Sequence, residues 1–162
     1  MSTTSISSSV KLLLSILICE AVGIMSGLLS QTNMNEWLAT LNKPSWNPPS
    51  WLFGPVWSIL YALMGLALWI IWKSHFDETS KRIALIIFAL QLFLNFWWSL
   101  LFFRFHSPAL ALADILLMIV VITITVFRFA LISRKASWLL VPYLAWVCFA
   151  AILNYTIWSM NK

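Results

Sequence analysis

Residues 51–72 read WLFGPVWSILYALMGLALWIIW, a run of 22 residues without Asp, Glu, Lys or Arg. Because an α-helix rises about 1.5 Å per residue, a helix of this length spans the roughly 30 Å hydrocarbon core of a bilayer. Backbone polar groups in hydrocarbon must pair with one another, and a helix pairs them within a single segment. The stretch therefore predicts a transmembrane helix.

Four further apolar runs extend this pattern over nearly the whole chain. Together they predict an all-α integral membrane protein, a bundle of five transmembrane helices in a single domain over residues 1–162. The composition agrees, because 62% of the residues are hydrophobic and 9% are charged, whereas a soluble domain carries about 25% charged residues. The predicted spans are residues 10–29, 51–73, 82–104, 107–128 and 136–160, with a structured loop at residues 30–50.

The basic residues predict how this bundle is oriented. Five spans place the two termini on opposite sides, and cytoplasmic loops carry an excess of Lys and Arg. One side collects seven of these side chains and the other collects three. We therefore predict a cell-membrane protein with a cytoplasmic N-terminus. The seven are Lys11, Lys73, Lys81, Arg82, Arg128, Arg134 and Lys135, and the three are Lys43, Arg104 and Lys162.

What the sequence lacks excludes several classes of function. Ten scattered basic residues do not form a nucleic-acid patch. The two histidines fall in loops on opposite sides of the membrane, so neither a metal site nor a cofactor is predicted. No Ser/His/Asp set and no phosphate-binding loop is present.

The loop at residues 30–50 ends in Lys43-Pro44-Ser45-Trp46-Asn47-Pro48-Pro49-Ser50. Its three prolines exclude a regular helix and stiffen the chain. A rigid loop that carries a tryptophan beside the bilayer suits a lid over a cavity. Aromatic side chains also anchor proteins at membrane interfaces, and the residues alone leave both interpretations open.

Polar side chains inside the spans mark faces that point into the bundle. Gln91, Asn95 and Trp98 lie within about 60° of one another on a helical wheel, and amide groups facing lipid are costly. They form either interhelical hydrogen bonds or contacts with a ligand. Glu20 and Asp114 are acids within spans, which favours a functional role or hydrogen bonds across helices.

A stripe on the fifth span consists of Trp138, Pro142, Trp146 and Ala150, which recur every four residues. Residues four apart lie on one face of a helix. The stripe is either one wall of an aromatic cavity or a packing surface between helices.

Three segments of the chain resemble the translocator protein family, also called tryptophan-rich sensory proteins or peripheral benzodiazepine receptors. The resemblance covers about residues 10–161, with the segments in the same order. They are Lys43–Trp51 continued by Phe53–Trp57, then Gln91–Ser99, then Pro142–Trp146 continued by Leu153–Tyr155 and Trp158.

The resemblance implies a five-helix bundle, frequently a homodimer, with a pocket open toward the first loop. It implies ligands such as protoporphyrin IX and benzodiazepine or isoquinoline drugs, and, for some members, light-dependent degradation of protoporphyrin. On this basis Trp51 and Trp138 are the catalytic candidates, and Lys43 lies at the pocket mouth. The ligand-binding residues that it implies are Trp51, Tyr61, Asn95, Trp98, Trp138, Trp146 and Ala150.

One departure concerns the cholesterol motif with which animal members end the last helix. Leu153 and Tyr155 are present, but Ser159 stands where the motif has a basic residue, and Lys162 lies one position too far. Sterol binding by that motif is therefore not expected.

The function predicted from these observations is a membrane receptor for porphyrins and related hydrophobic ligands, with the lipid bilayer as its surroundings. A small proton-coupled exporter is the alternative. In such a protein a single intramembrane carboxyl group exchanges protons for the transported ligand, and Glu20 suits that role.

Overall fold

Six α-helices and one π-helical turn make up the secondary structure of residues 7–32 and 34–162, the part of the chain that this computed structural model describes. Five of the helices are long and apolar enough to cross a membrane. The predicted fold class, an all-α membrane bundle of five transmembrane helices, is therefore confirmed. The elements are α1 (Ser8–Ser30), α2 (Met34–Thr40), α3 (Ser50–Trp72), α4 (Glu78–Ser99), the π-helical turn (Leu100–Arg104), α5 (Pro108–Ile132) and α6 (Arg134–Met160).

The five long helices form a ring in the order α1, α3, α6, α5 and α4. α5 packs between α4 and α6, and α3 packs between α1 and α6. The contact between α1 and α4, which closes the ring, is the sparsest of the five. Concave surfaces are therefore expected along this seam.

Small residues allow α1 and α3 to approach closely. A Cβ atom on Gly65 of α3 would lie 2.6 Å from the Cα atom of Ile16 on α1, well inside van der Waals contact. A Cβ atom on Gly23 of α1 would overlap the ring of Tyr61 on α3, whereas Gly27 has open space beside it. Gly23 and Gly27 form a Gly-x-x-x-Gly pair, and of the two Gly23 packs against another helix of the same chain.

The two ends of the bundle differ in charge. At one end the indole Nε1 of Trp69, near the end of α3, donates to the carbonyl of Ser8 at 3.0 Å. This end comprises the start of α1 and the α3–α4 and α5–α6 connections, and it carries the seven basic residues named above, so we call it the basic end. The opposite end, which holds the α1–α3 connection and the end of α6, is called the loop end.

Capping residues explain why two helices begin earlier than the apolar runs predicted. The Asp77 carboxylate accepts from the Ser80 N–H at 2.7 Å, and this bonding lowers the pKa of Asp77. The Ser133 hydroxyl accepts from the Ala136 N–H at 3.4 Å. Each cap satisfies an unpaired N–H of the first turn, so the helices start in polar sequence ahead of their apolar spans.

Candidate functional site

A cavity of about 460 Å³ opens between α1, α3, the end of α4 and α6, toward the loop end. Pockets of roughly 300–1,000 Å³ hold drug-sized ligands, so the volume suits one small molecule. Its walls are predominantly apolar, and six aromatic residues contribute to them. The aromatic lining residues are Phe53, Trp57, Tyr61, Trp98, Phe102 and Phe103.

Residues 31–32 and 34–49, which lie between α1 and α3 and which we call the lid, form the wall of the cavity at the loop end. Met34 and Leu38 of α2 contribute apolar side chains to this wall, and Lys43 and Asn47 of the proline-rich part contribute polar ones. The lid thus combines an apolar surface with one ammonium group beside the cavity.

The lid is fastened to the end of α6 by a pair of hydrogen bonds. Asn161 accepts from the Asn42 N–H at 2.9 Å and donates to the Asn42 carbonyl at 2.9 Å. The Trp37 ring of α2 stacks on His106 at 4.7 Å between centroids and meets Phe102 edge to face at 5.3 Å. These contacts hold the lid against both α6 and the π-helical turn.

A buried hydrogen-bonded group lies behind the inner wall of the cavity. The Tyr61 hydroxyl donates to Asn95 Oδ1, and Asn95 Nδ2 donates to the Tyr143 hydroxyl at 3.2 Å. Asn95 itself does not line the cavity. Its amide links α3, α4 and α6 through hydrogen bonds and holds the phenol of Tyr61 in place. Buried polar groups are normally hydrogen-bonded in this way.

A second group of hydrogen bonds positions Trp98. Its Nε1 donates to Asn154 Oδ1 at 3.1 Å, and Asn154 Nδ2 donates to the Pro108 carbonyl at 2.8 Å. The indole also stacks on Phe102, with 5.5 Å between ring centroids. Trp98 is therefore held by three helices with one edge left for the cavity.

The π-helical turn that follows α4 brings consecutive aromatic residues to the cavity. Phe102 and Phe103 both line it, as the consecutive residues Trp57 and Ser58 do on the regular helix α3. The segment ends at His106, whose φ of 52° lies in the left-handed region and stops the helix. Single π-helical turns recur at functional sites.

Three of the residues predicted to bind ligand line the cavity, namely Tyr61, Trp98 and Ala150. Asn95 lies directly behind Tyr61. Trp146 lies outside the lining, where its ring meets Phe53 edge to face at 6.0 Å between centroids. It therefore supports a cavity wall from behind.

Trp51 and Trp138 do not meet at the cavity. The Trp51 side chain, at the start of α3, is 72% exposed, and that of Trp138, near the start of α6, is 71% exposed. They lie at opposite ends of the bundle, since α3 begins at the loop end and α6 begins at the basic end. The binding and catalytic roles inferred for them from the resemblance stay predictions.

Several lining residues were not predicted, and a signal for some of them was present. Phe53 and Trp57 precede the predicted residue Tyr61 at four-residue spacing on α3, which places all three on one face of the helix. Asn154 is an amide within the last span, and its polarity in a membrane helix was the available signal. No sequence signal indicated the π-helical turn that carries Phe102 and Phe103.

One acidic and one basic residue lie on the cavity wall. Glu20 of α1 presents a carboxyl group from within the span, and Lys43 of the lid presents an ammonium group at the mouth. Ligand sites are commonly apolar with a few polar groups that fix orientation. The arrangement suits a hydrophobic ligand that carries polar groups at its edge.

Five apolar helices, four of which border the cavity, define a multi-pass α-helical membrane protein with a candidate site for a hydrophobic ligand. Sequence comparison gives the relationship: a model of the TspO/MBR family matches residues 15–159. The chain belongs to this family, and the resemblance seen in the sequence is confirmed.

Relatives in bacteria and animals share most of the chain. It is 44% identical over 144 residues to the tryptophan-rich protein TspO of Chlorobaculum tepidum, covering 89% of this chain and 91% of that one. It is 40% identical to the translocator protein of Sus scrofa, covering 85% of each. It is 35% identical to the tryptophan-rich sensory protein of Cereibacter sphaeroides, covering 78% of each.

Proposed function

We propose that the protein is a membrane receptor that binds porphyrins, protoporphyrin IX among them, and related flat hydrophobic ligands such as benzodiazepine and isoquinoline drugs. The aromatic cavity is the observation that carries the proposal. A porphyrin has two large π faces, and aromatic side chains pack on such faces in offset or edge-to-face arrangements. Trp57, Trp98 and Phe102 supply three such side chains around one cavity.

Polar groups near the cavity suit the edge of a porphyrin. The Lys43 ammonium group at the mouth pairs with a propionate, since ammonium and carboxylate form charge-assisted hydrogen bonds. The Tyr61 phenol, held by Asn95, lies at the inner wall. One end of the ligand therefore faces the lid while the macrocycle occupies the aromatic interior.

The proposal is tested by titrating the purified full-length chain with protoporphyrin IX in the dark and following tryptophan fluorescence. We expect saturable quenching with one ligand bound per chain, because indoles line the cavity. A long-chain alcohol of comparable apolar area lacks π faces and serves as the control ligand. Quenching that rises without saturation would mean that the porphyrin partitions into detergent and does not bind the protein. The same conclusion would follow if the alcohol abolished the quenching.

Light-dependent degradation of the bound porphyrin is the second part of the proposal. The resemblance assigns it to Trp51 and Trp138, whereas the cavity presents Trp57 and Trp98 to a ligand. Phe keeps an aromatic ring but is harder to oxidise than indole. We expect Trp57→Phe and Trp98→Phe to slow the loss of porphyrin absorption under illumination; slowing only in Trp51→Phe and Trp138→Phe would support the assignment from the resemblance.

The proposed setting is the cell membrane, with the N-terminus and the basic end in the cytoplasm. The seven basic residues of that end against the three of the loop end support this orientation. An alkaline phosphatase fused after residue 162 is expected to be active, because the C-terminus then lies outside the cytoplasm. A fluorescent protein that folds only in the cytoplasm, fused at the same position, should stay dark; the reverse pattern would invert the assignment.

The homodimer implied by the resemblance also belongs to the proposal. Native mass spectrometry measures the mass of the protein after the detergent has been removed in the gas phase. This mass gives the oligomeric state directly. A mass of one chain at concentrations where ligand still binds would make the monomer the functional unit.

Glu20 on the cavity wall favours proton-coupled export as a second candidate function. The two functions separate in Glu20→Gln, which keeps the side chain's size and removes its ability to ionise. For a receptor we expect protoporphyrin affinity within about threefold of the native protein, a difference under 1 kcal/mol. Proton-driven export of a hydrophobic cation from vesicles, lost in Glu20→Gln, would establish the exporter instead.

A further inference from the structure

A second concave surface of about 590 Å³ lies at the basic end, at the opposite end of the bundle from the aromatic cavity. It is formed by the first turns of α1, the end of α3 and the first three turns of α4, where the seam between α1 and α4 is sparse. We call this surface the basic groove. Its charged lining residues are Lys11, Glu78, Lys81 and Arg82.

The basic groove has an excess of positive charge. Glu78 forms an ion pair with Lys81, whose Nζ also donates to the Ser74 carbonyl at 3.3 Å. The side chain of Lys81 is only 12% exposed, whereas that of Glu78 is 84% exposed. Because this pair is internally neutral, Lys11 and Arg82 leave the groove with two positive charges for a ligand.

The floor of the groove changes from charged to apolar along α4. Glu78, Arg82, Ile86 and Ala89 follow one another at three- and four-residue spacing and share a face. Ile86 is 58% exposed on a helix that crosses the membrane. The groove thus begins with cations at the membrane surface and continues with apolar side chains at the depth of the acyl chains.

The indole of Trp72 forms part of the same groove. The Nζ of Lys11 lies 5.9 Å from the centroid of that ring, within the range of a cation–π interaction. Tryptophan is enriched at the level of lipid headgroups. Trp72 therefore lies at the depth where the headgroup of a bound lipid is joined to its glycerol backbone.

We propose that the basic groove binds an anionic phospholipid. Its phosphate lies between Lys11 and Arg82, and one acyl chain follows Ile86 and Ala89 of α4. A free phosphate ion has no apolar part that could pack on Ile86 and Ala89. A zwitterionic lipid places its own cation beside two basic side chains, so the anionic headgroup is the better complement.

A lipid bound here joins α1 to α4 across the sparsest of the five contacts that form the ring of long helices. A ligand that binds only the folded state raises stability in proportion to the logarithm of its concentration over its Kd. Anionic lipid is therefore expected to raise the unfolding temperature of the protein. The effect does not depend on what binds in the aromatic cavity.

Native mass spectrometry of the full-length chain in a neutral detergent tests the proposal. The chain is titrated with phosphatidylglycerol and with phosphatidylcholine of the same acyl chains, and bound lipid is counted. We expect phosphatidylglycerol to bind more tightly. Lys11→Gln combined with Arg82→Gln should weaken it roughly thirtyfold, since each basic residue near a membrane surface contributes about 1 kcal/mol, while Lys11→Arg with Arg82→Lys retains most of it.

The matched control is Arg134→Gln combined with Lys135→Gln, which removes two exposed charges from the same end outside the groove. This pair should keep phosphatidylglycerol affinity near that of the native chain. Equal loss in both pairs would mean diffuse attraction to surface charge, and equal binding of phosphatidylcholine would remove the headgroup selectivity. Displacement of the lipid by inorganic phosphate or glycerophosphate would make the groove a free-anion site. Any of these three results overturns the proposal.

Discussion

Ala150→Phe is expected to weaken binding of protoporphyrin IX and of an isoquinoline drug together, by on the order of 10- to 100-fold. Ala150 lines the cavity from α6, and a phenyl ring there occupies space that the ligand needs. Overfilling a packed site costs typically 1–3 kcal/mol, and each 1.4 kcal/mol is tenfold in affinity. The measurement is the fluorescence titration described above, repeated with both ligands.

Ile152→Phe supplies the matched control for this substitution. Ile152 lies two residues further along α6 and is 60% exposed on the outer surface of the bundle, so the same new ring leaves the cavity unchanged. We expect both affinities to be kept in this variant. If Ala150→Phe unfolds at the native temperature and still binds both ligands normally, the ligand site is not this cavity.

The fold was predictable from sequence because the membrane imposes one strong rule. Any apolar run of about 20 residues must pair its own backbone groups, so five such runs predicted five helices. The ends were less predictable, because caps such as Asp77 extend a helix into polar sequence. α2 was predictable only as one or two turns within the loop, since seven residues carry little periodic signal.

The site was predictable where a polar or small residue interrupts an apolar helix. Asn95 stood out as an amide in an apolar span, and Ala150 as the small residue of the four-residue stripe on α6. The structure places Ala150 at the cavity and Asn95 behind Tyr61. An aromatic residue carries a more ambiguous signal, because Trp and Phe occur at lipid-facing and interior positions, and Trp is also enriched at the membrane interface. The four-residue stripe on α6 shows this ambiguity, since Ala150 lines the cavity while Trp138 is mostly exposed.

Contacts between distant segments were the least predictable part of the site. Asn42 and Asn161, which join the lid to the end of α6, are 119 residues apart in the chain. Neither residue is unusual where it stands, because both occur in polar sequence at the end of a helix or in a loop. Only the antiparallel packing of the whole bundle brings the side-chain amide of Asn161 to the backbone of Asn42.

Gly65→Ala is expected to destabilise the protein by about 1–3 kcal/mol, the usual cost of inserting a methyl group into a packed interface. The new Cβ atom would lie 2.6 Å from the Cα of Ile16 and 3.0 Å from its backbone nitrogen. These are backbone atoms, so relief of the clash requires α1 to move away from α3. Thermal unfolding of the purified chain should therefore shift to lower temperature. Ligand affinity should fall as well, because α1 carries Glu20 and Gly23 of the cavity wall.

Gly54→Ala, on the same helix, isolates the clash from the helix propensity of alanine. No atom lies within 4 Å of a Cβ built on Gly54, and alanine is favoured over glycine in a helix by up to about 1 kcal/mol. Both variants gain this propensity, so the difference between their unfolding free energies measures the contact with Ile16 alone. We expect Gly54→Ala to unfold at or above the native temperature and Gly65→Ala clearly below it. Equal unfolding temperatures would mean that α1 and α3 are not in close contact at Gly65, and the cavity wall that α1 supplies would then have to be placed differently.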